Sequence, residues 1–150
     1  MISVQDHDFN QQDEYNRLKE NTSTGAIVTF TGLVRDINQG QSVSDLSLEH
    51  YPGMTEKCLH NIVEQAKQRW NIIESTVIHR IGRLAISDQI VFVGIASQHR
   101  GDAFAACEFI MDYLKTEAPF WKKETMSNGE TKWVDAREVD QKALSKWVNI

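Results

Sequence analysis

Cysteine and proline are both scarce in this chain, with only two of each in 150 residues. Cys58 and Cys107 are too few for a disulfide framework and suit a reducing cytoplasm. The five histidines, His7, His50, His60, His79 and His99, contain no H-x-x-x-H pair, and there is no C-x-x-C. No metal site has sequence support. Neither G-x-G-x-x-G nor a P-loop occurs, and no G-x-S-x-G nucleophile elbow is present. No apolar run is long enough to span a bilayer. The opening MISVQDHDFNQQ lacks the charged-then-apolar layout of a secretory leader. Positive charge is not in excess either. A net charge of -5 argues against broad nucleic-acid binding, because phosphate backbones demand a positive surface.

What is present reads as one domain of α+β type. Hydrophobic residues at 41% and charged residues at 25% fit a globular chain, and this length buries roughly 70% of its unfolded surface without staples. Residues 2–5 form a short strand and 10–19 a short helix. GAIVTFTGLV (25–34) is β-branched and apolar, a strand. DINQGQSVSD (36–45) is polar with one glycine and reads as a flexible loop. Leu46, Leu48 and His50 then alternate with Ser47, Glu49 and Tyr51 at strand period. After Pro52-Gly53, Met54, Cys58, Ile62, Ala66 and Trp70 recur every four residues, widened by Leu59 and Val63, the stripe of an amphipathic helix. Residues 74–81 form another strand. IVFVGIA (90–96) is apolar on both faces, a central strand.

A helix is expected over 101–116, capped by Asp102 or Gly101 and stopped near Glu117, since Pro119 pushes Ala118 out of helical geometry. Residues 120–126 and 131–135 flank Ser-Asn-Gly, a hairpin. Val139, Ala143, Leu144 and Trp147 give helical spacing over 137–147.

Cations collect at both ends of the 101–116 helix. His99-Arg100 at its entrance joins a positive dipole end and free backbone N–H groups, which suits an anion such as phosphate. The plainer alternative is that Arg100 pairs with Asp102 on the surface. Lys115 lies about 40° from Met111 and about 20° from Phe104 around the helix, so it is expected to border the buried face. It reads either as an amine beside a pocket or as a lysine complementing the helix dipole. In the strand FWKKE, Phe120, Lys122 and Glu124 share one face, and Trp121 and Lys123 the other. Two amines in one pocket repel, so one is expected to lose its proton more readily. Arg35 leaves an apolar strand beside the glycine-bearing loop, where it can gather a ligand or merely be solvated. Cys58 and Cys107 fall on apolar stripes and read as small core residues.

These patterns stop at an α+β domain with an anion pocket. VTFTGLVR (28–35), LSLEHYPGMTEK (46–57), VIHRIG (77–82), IVFVGIASQHR (90–100) and FIMDYLKTEAPFWKKE (109–124) go further. Together they resemble the family of large, catalytic subunits of molybdopterin synthase. The resemblance implies an α+β, hammerhead-like fold with a mixed or antiparallel sheet and flanking helices. It implies a sulfurtransferase that turns cyclic pyranopterin monophosphate into the dithiolene molybdopterin, with no cofactor and no metal. The sulfur would arrive as a thiocarboxylate on the C-terminal Gly-Gly of a small ubiquitin-like partner, two large subunits pairing between two small ones. Lys115 and Lys122 match the family's catalytic places. Arg35, His99 and Arg100 match substrate-binding places, with Leu33, Val34, Lys123 and Glu124 lining the site and Arg137 at a matching basic position. Two other readings compete: a module that binds a Gly-Gly tail without chemistry, and a single-strand nucleic-acid binder using Phe120, Trp121, Lys122 and Lys123. Neither a membrane nor nucleic acid is an expected partner.

Overall fold

The computed structural model describes residues 1–38, 41–134 and 138–148. One sheet has the order β1 (Ile2–Gln5), β5 (Glu74–Arg80), β7 (Gln89–Ser97), β2 (Ala26–Leu33). β1 runs parallel to β5, and the other pairings are antiparallel. β7 is buried almost throughout, as its doubly apolar sequence requires. Its alternate residues serve two cores. Val91, Val93 and Ile95 face the larger one, with Leu59, Ile62, Val63 and Ala66 of α2 (Met54–Arg69) and Ala103, Ala106, Phe109 and Ile110 of α3 (Arg100–Glu117). Phe92 and Ala96 face the smaller one, with Ile78 and Leu18 of α1 (Gln11–Leu18). Gly94 lies on that second face. A Cβ there would stand 2.6 Å from Leu18 Cδ1, so the close approach of α1 depends on the missing side chain.

The second sheet is built on β4 (Gln41–His50). On one side it pairs with β8 (Phe120–Met126), which pairs in turn with β9 (Thr131–Val134). On its other side lie β3 (Ile37–Asn38) and β6 (Gly82–Ala85). The α+β class with flanking helices therefore holds, with its strands divided between two sheets. The expected loop at 36–45 is corrected: from Ile37 on, its described residues belong to β3 and β4. A register shift between Val43 and Asp45 reverses the side-chain parity, so buried Val43 is out of step with buried Leu46 and Leu48. That bulge hides the strand from any reading of alternation. β6 was also unforeseen, and the helix expected over 137–147 is two short ones, α4 (Glu138–Ala143) and α5 (Ser145–Val148). In α2, Met54 is exposed, and the buried stripe starts instead at Thr55.

The end of the described chain closes the larger core. Trp147 meets Trp70 and Phe109 edge-on, each at 5.5 Å, and its indole N–H donates to Asp112 Oδ2 at 2.7 Å. Arg69 donates to the Trp147 carbonyl at 3.1 Å. Among the described residues, no helix is long and apolar enough to cross a membrane.

Candidate active site

A cavity of about 350 Å³ opens where the end of β2, the last turn of α3 and the inner face of β8 converge. That size suits a small-molecule ligand. How Lys115 and Lys122 come to share it follows from Pro119. Ala118 leaves α3 with φ -71° and ψ 131°, an extended conformation that the following proline enforces. The reversal is then pinned. Thr55, fully buried at the start of α2, donates from its hydroxyl to the Pro119 carbonyl at 3.1 Å and accepts from the Tyr51 N–H at 2.9 Å. β8 therefore departs in a fixed direction. Its alternation turns Phe120, Lys122 and Glu124 into the cavity, as the sequence predicts.

The lining joins Lys115 of α3, Lys122 of β8 and Arg35 just beyond β2. Leu33 and Val34 line it too, the first half-exposed and the second buried. Carboxylates come from Glu124, which is buried, and from Asp140 on α4. Among the described lining residues, three cations stand against two acids, which favours an anionic ligand. Lys115 reaches it although its helical neighbour Phe104 is 60% exposed, so the expected buried face through Phe104 is corrected. Buried Leu114 beside Lys115 marks where the core ends and the cavity begins.

Other predicted residues lie elsewhere. Lys123 is on the opposite face of β8, its amine 5.9 Å from the centre of the Trp133 ring. His99 is the N-cap of α3, with no side-chain capping bond, and Arg100 is the first helical residue. Asp102 does not cap: it accepts from the Asn71 N–H at 2.9 Å. Both His99 and Arg100 are exposed, about 22 Å of helix axis from Lys115. One chain does not bring them to the cavity. Arg137 lies outside the described residues.

One lining residue escaped the sequence reading. His79, on β5, is only 4% exposed and stacks on Phe120, the ring centroids 3.8 Å apart and the planes 17° from parallel. Burial, reinforced by the charges of Lys122, Lys115 and His50, pushes its pKa down to about 3 against the opposing pull of the Arg80 carbonyl. The ring is neutral at any ordinary pH. The signal was a histidine directly after the apolar pair Val77-Ile78 of a core strand.

No cysteine serves this space. Cys107 is buried, with its Sγ 3.9 Å from the Val93 carbonyl, and burial pushes its thiol up to about 12. Burial, with the charge of Glu117, raises the Cys58 thiol as well. Neither is a thiolate near neutral pH, so neither can supply sulfur as a nucleophile. The described residues also hold no cluster of metal-ligating side chains. Among the described residues, the space offers amines and a guanidinium but no thiolate.

Comparison with known proteins identifies the family. The molybdopterin synthase catalytic subunit of Ralstonia nicotianae is 58% identical over 97% of this chain and 83% of its own length. The molybdopterin biosynthesis MoaE protein of Burkholderia ambifaria superposes with a TM-score of 0.83 at 50% identity, over 99% of this chain and 98% of that one. Molybdopterin synthase from Staphylococcus aureus superposes with a TM-score of 0.81 at 33% identity, over 88% of this chain and 95% of that one. The family model described as MoaE protein matches residues 4–117, and the chain belongs to that family.

Proposed function

We propose that this chain is the catalytic subunit of a molybdopterin synthase, moving sulfur from a thiocarboxylated small subunit onto cyclic pyranopterin monophosphate. The observation that carries the reading is the meeting of Lys115 and Lys122 with Arg35 in one cavity that has no cysteine among its described lining residues. A partner that brings its own sulfur needs such a site. The thiocarboxylate is an anion, and so is the cyclic phosphate; both are attracted by the amines and the guanidinium. The thiocarboxylate sulfur bonds to a side-chain carbon of the pterin as a carbon–oxygen bond there breaks, the oxygen leaving as water or as the freed end of the opened cyclic phosphate, and the partner's acyl group stays on that sulfur as a thioester. Water then attacks that acyl carbon, releasing the partner as a carboxylate and leaving sulfur on the pterin. The two lysines stabilise the anionic acyl intermediate or relay its protons. A second round completes the dithiolene.

His99 and Arg100 enter through a second copy of the chain. Because α3 separates them from Lys115 of the same chain by about 22 Å, a single phosphate cannot span the two groups. In a homodimer, the helix entrance of one copy completes the cavity of the other, with one small subunit on each outer side. The cytoplasm, where thiols and thiocarboxylates persist, is the compartment for this chemistry. Incubation with thiocarboxylated small subunit and cyclic pyranopterin monophosphate tests the proposal by the appearance of dithiolene product. A module that only binds the tail would capture the small subunit, make no product and be indifferent to loss of either lysine.

A further inference from the structure

His79 lines the cavity, yet the reaction outlined above leaves it without a part. Its setting is well constrained. The Nδ1 atom lies 2.8 Å from the Arg80 carbonyl, which can only accept, so Nδ1 carries the proton and Nε2 keeps a lone pair. Nε2 has no hydrogen-bond partner among the described residues, and it is not among the side-chain atoms sealed from both solvent and partners. His79 lines the cavity, so that lone pair is at hand for a group held there. The ring's orientation is held by the stack on Phe120. Lys122 follows Phe120 on the same face of β8, about 7 Å along the strand.

We propose that His79 is a positioning residue for Lys122: its Nε2 lone pair accepts a hydrogen bond from the Lys122 ammonium as the thiocarboxylate tail and the pterin fill the cavity, fixing where that amine points. The inference rests on reading this cavity as the sulfur-transfer site. It also gives a reason for a neutral imidazole here. A protonated ring would repel Lys122 and Lys115, whereas the neutral ring offers an acceptor on a lining otherwise rich in donors. The charges that act on it are those of Lys122 on β8, Lys115 on α3 and His50 on β4, and Arg35, Glu124 and Asp140 line the same cavity. Burial together with the cations and His50 keeps the ring unprotonated, so the acceptor persists across the working pH range.

The test uses the reconstituted complex with His79→Phe and His79→Gln. Phenylalanine keeps the stack and removes the acceptor; glutamine returns an acceptor near the Nε2 position. His79→Phe should lower kcat by about ten- to a hundredfold, the scale of one hydrogen bond to a charged group. Substrate affinity and small-subunit affinity should stay within twofold, and His79→Gln should recover a large part of kcat. Nitrogen NMR of the complex with the carboxylate form of the small subunit should show Nε2 unprotonated and its resonance moved by Lys122→Ala. Wild-type kcat in a folded His79→Phe variant, a His79→Gln variant no better than it, or a protonated Nε2 would each overturn the proposal. Should His79→Phe not fold, His79→Gln and the nitrogen spectrum still decide. A wild-type complex that forms no product would overturn the sulfur-transfer reading instead, while the spectrum still reports on His79 and Lys122.

Discussion

Arg100 and Lys115 stand at opposite ends of one helix, the first opening α3 and the second in its last turn. About 22 Å of helix axis lies between them, which is more than a pterin phosphate can bridge. If both act on one substrate, they come from different copies of the chain.

Mixed dimers test that arrangement. Arg100→Ala and Lys115→Ala homodimers should each be nearly inactive. Co-assembled, they should regain activity, because some dimers then contain one cavity with both residues intact. Random pairing sets the ceiling at about a quarter of wild-type turnover. No recovery in co-assembled dimers would place both residues in a site within one chain. In wild-type partner pairs, Arg100→Ala should also raise the substrate dissociation constant about ten- to a hundredfold by calorimetry.

Lys115→Ala should abolish turnover while leaving the melting temperature and the affinity for the small subunit unchanged, since the side chain is exposed and lines the cavity. Lys115→Arg separates two roles. An arginine keeps the charge but cannot release a proton near neutral pH. Failure of Lys115→Arg to the level of Lys115→Ala marks proton transfer or nucleophilic attack; recovery of most of the rate marks electrostatic stabilisation.

Much of this site was legible in the chain, and the reasons are local. The alternation of FWKKE faces Lys122 and Glu124 inward, and Pro119 forces the reversal that returns them toward Lys115. The β-branched runs at 26–33 and 89–97 are strands because little else suits them. Two features were not legible. β4 was read as starting several residues late because its bulge breaks the alternation between Val43 and Leu46. His79 resembled a satisfied core histidine, since burial on a strand and burial beside a cavity leave the same local pattern. The separation of His99 and Arg100 from Lys115, by contrast, is plain from helix rise, although a motif resemblance that names all three carries no distances.

The two thiols should be dispensable. Cys107, whose thiol is pushed up to about 12, packs in the core, and Cys58 donates from its Sγ to the Glu117 carbonyl at 3.5 Å. Cys58→Ala combined with Cys107→Ala should keep sulfur transfer within about threefold of wild type, with a stability loss of about 1–2 kcal/mol from the emptied core volume at Cys107. A folded double variant that binds the small subunit but makes no product would show that sulfur passes through this chain.

Acid stability should carry the mark of His79. Its folded pKa is depressed to about 3, whereas an unfolded histidine titrates near 6.5. Between these values the unfolded chain binds a proton that the folded chain refuses. The contribution is therefore fully present above about pH 6.5 and is lost as pH falls toward 3. At pH 5 this group alone should give a slope of about 1.4 kcal/mol per pH unit. Chemical denaturation of wild type and His79→Phe at pH 7, 6, 5 and 4 checks it: the stability difference between them should change in favour of His79→Phe as the pH drops. Parallel curves would mean that His79 is not held neutral by the fold.

The most direct measurement of the central claim is single-turnover product formation. Wild-type chain, thiocarboxylated small subunit and cyclic pyranopterin monophosphate are mixed, and the dithiolene product and the carboxylate form of the small subunit are quantified together by mass spectrometry. Two small subunits should be converted to carboxylate for each dithiolene formed, with no product when the small subunit lacks sulfur and none with Lys115→Ala despite a normal complex. Product formed without the thiocarboxylate, or at an undiminished rate with Lys115→Ala, would contradict that claim.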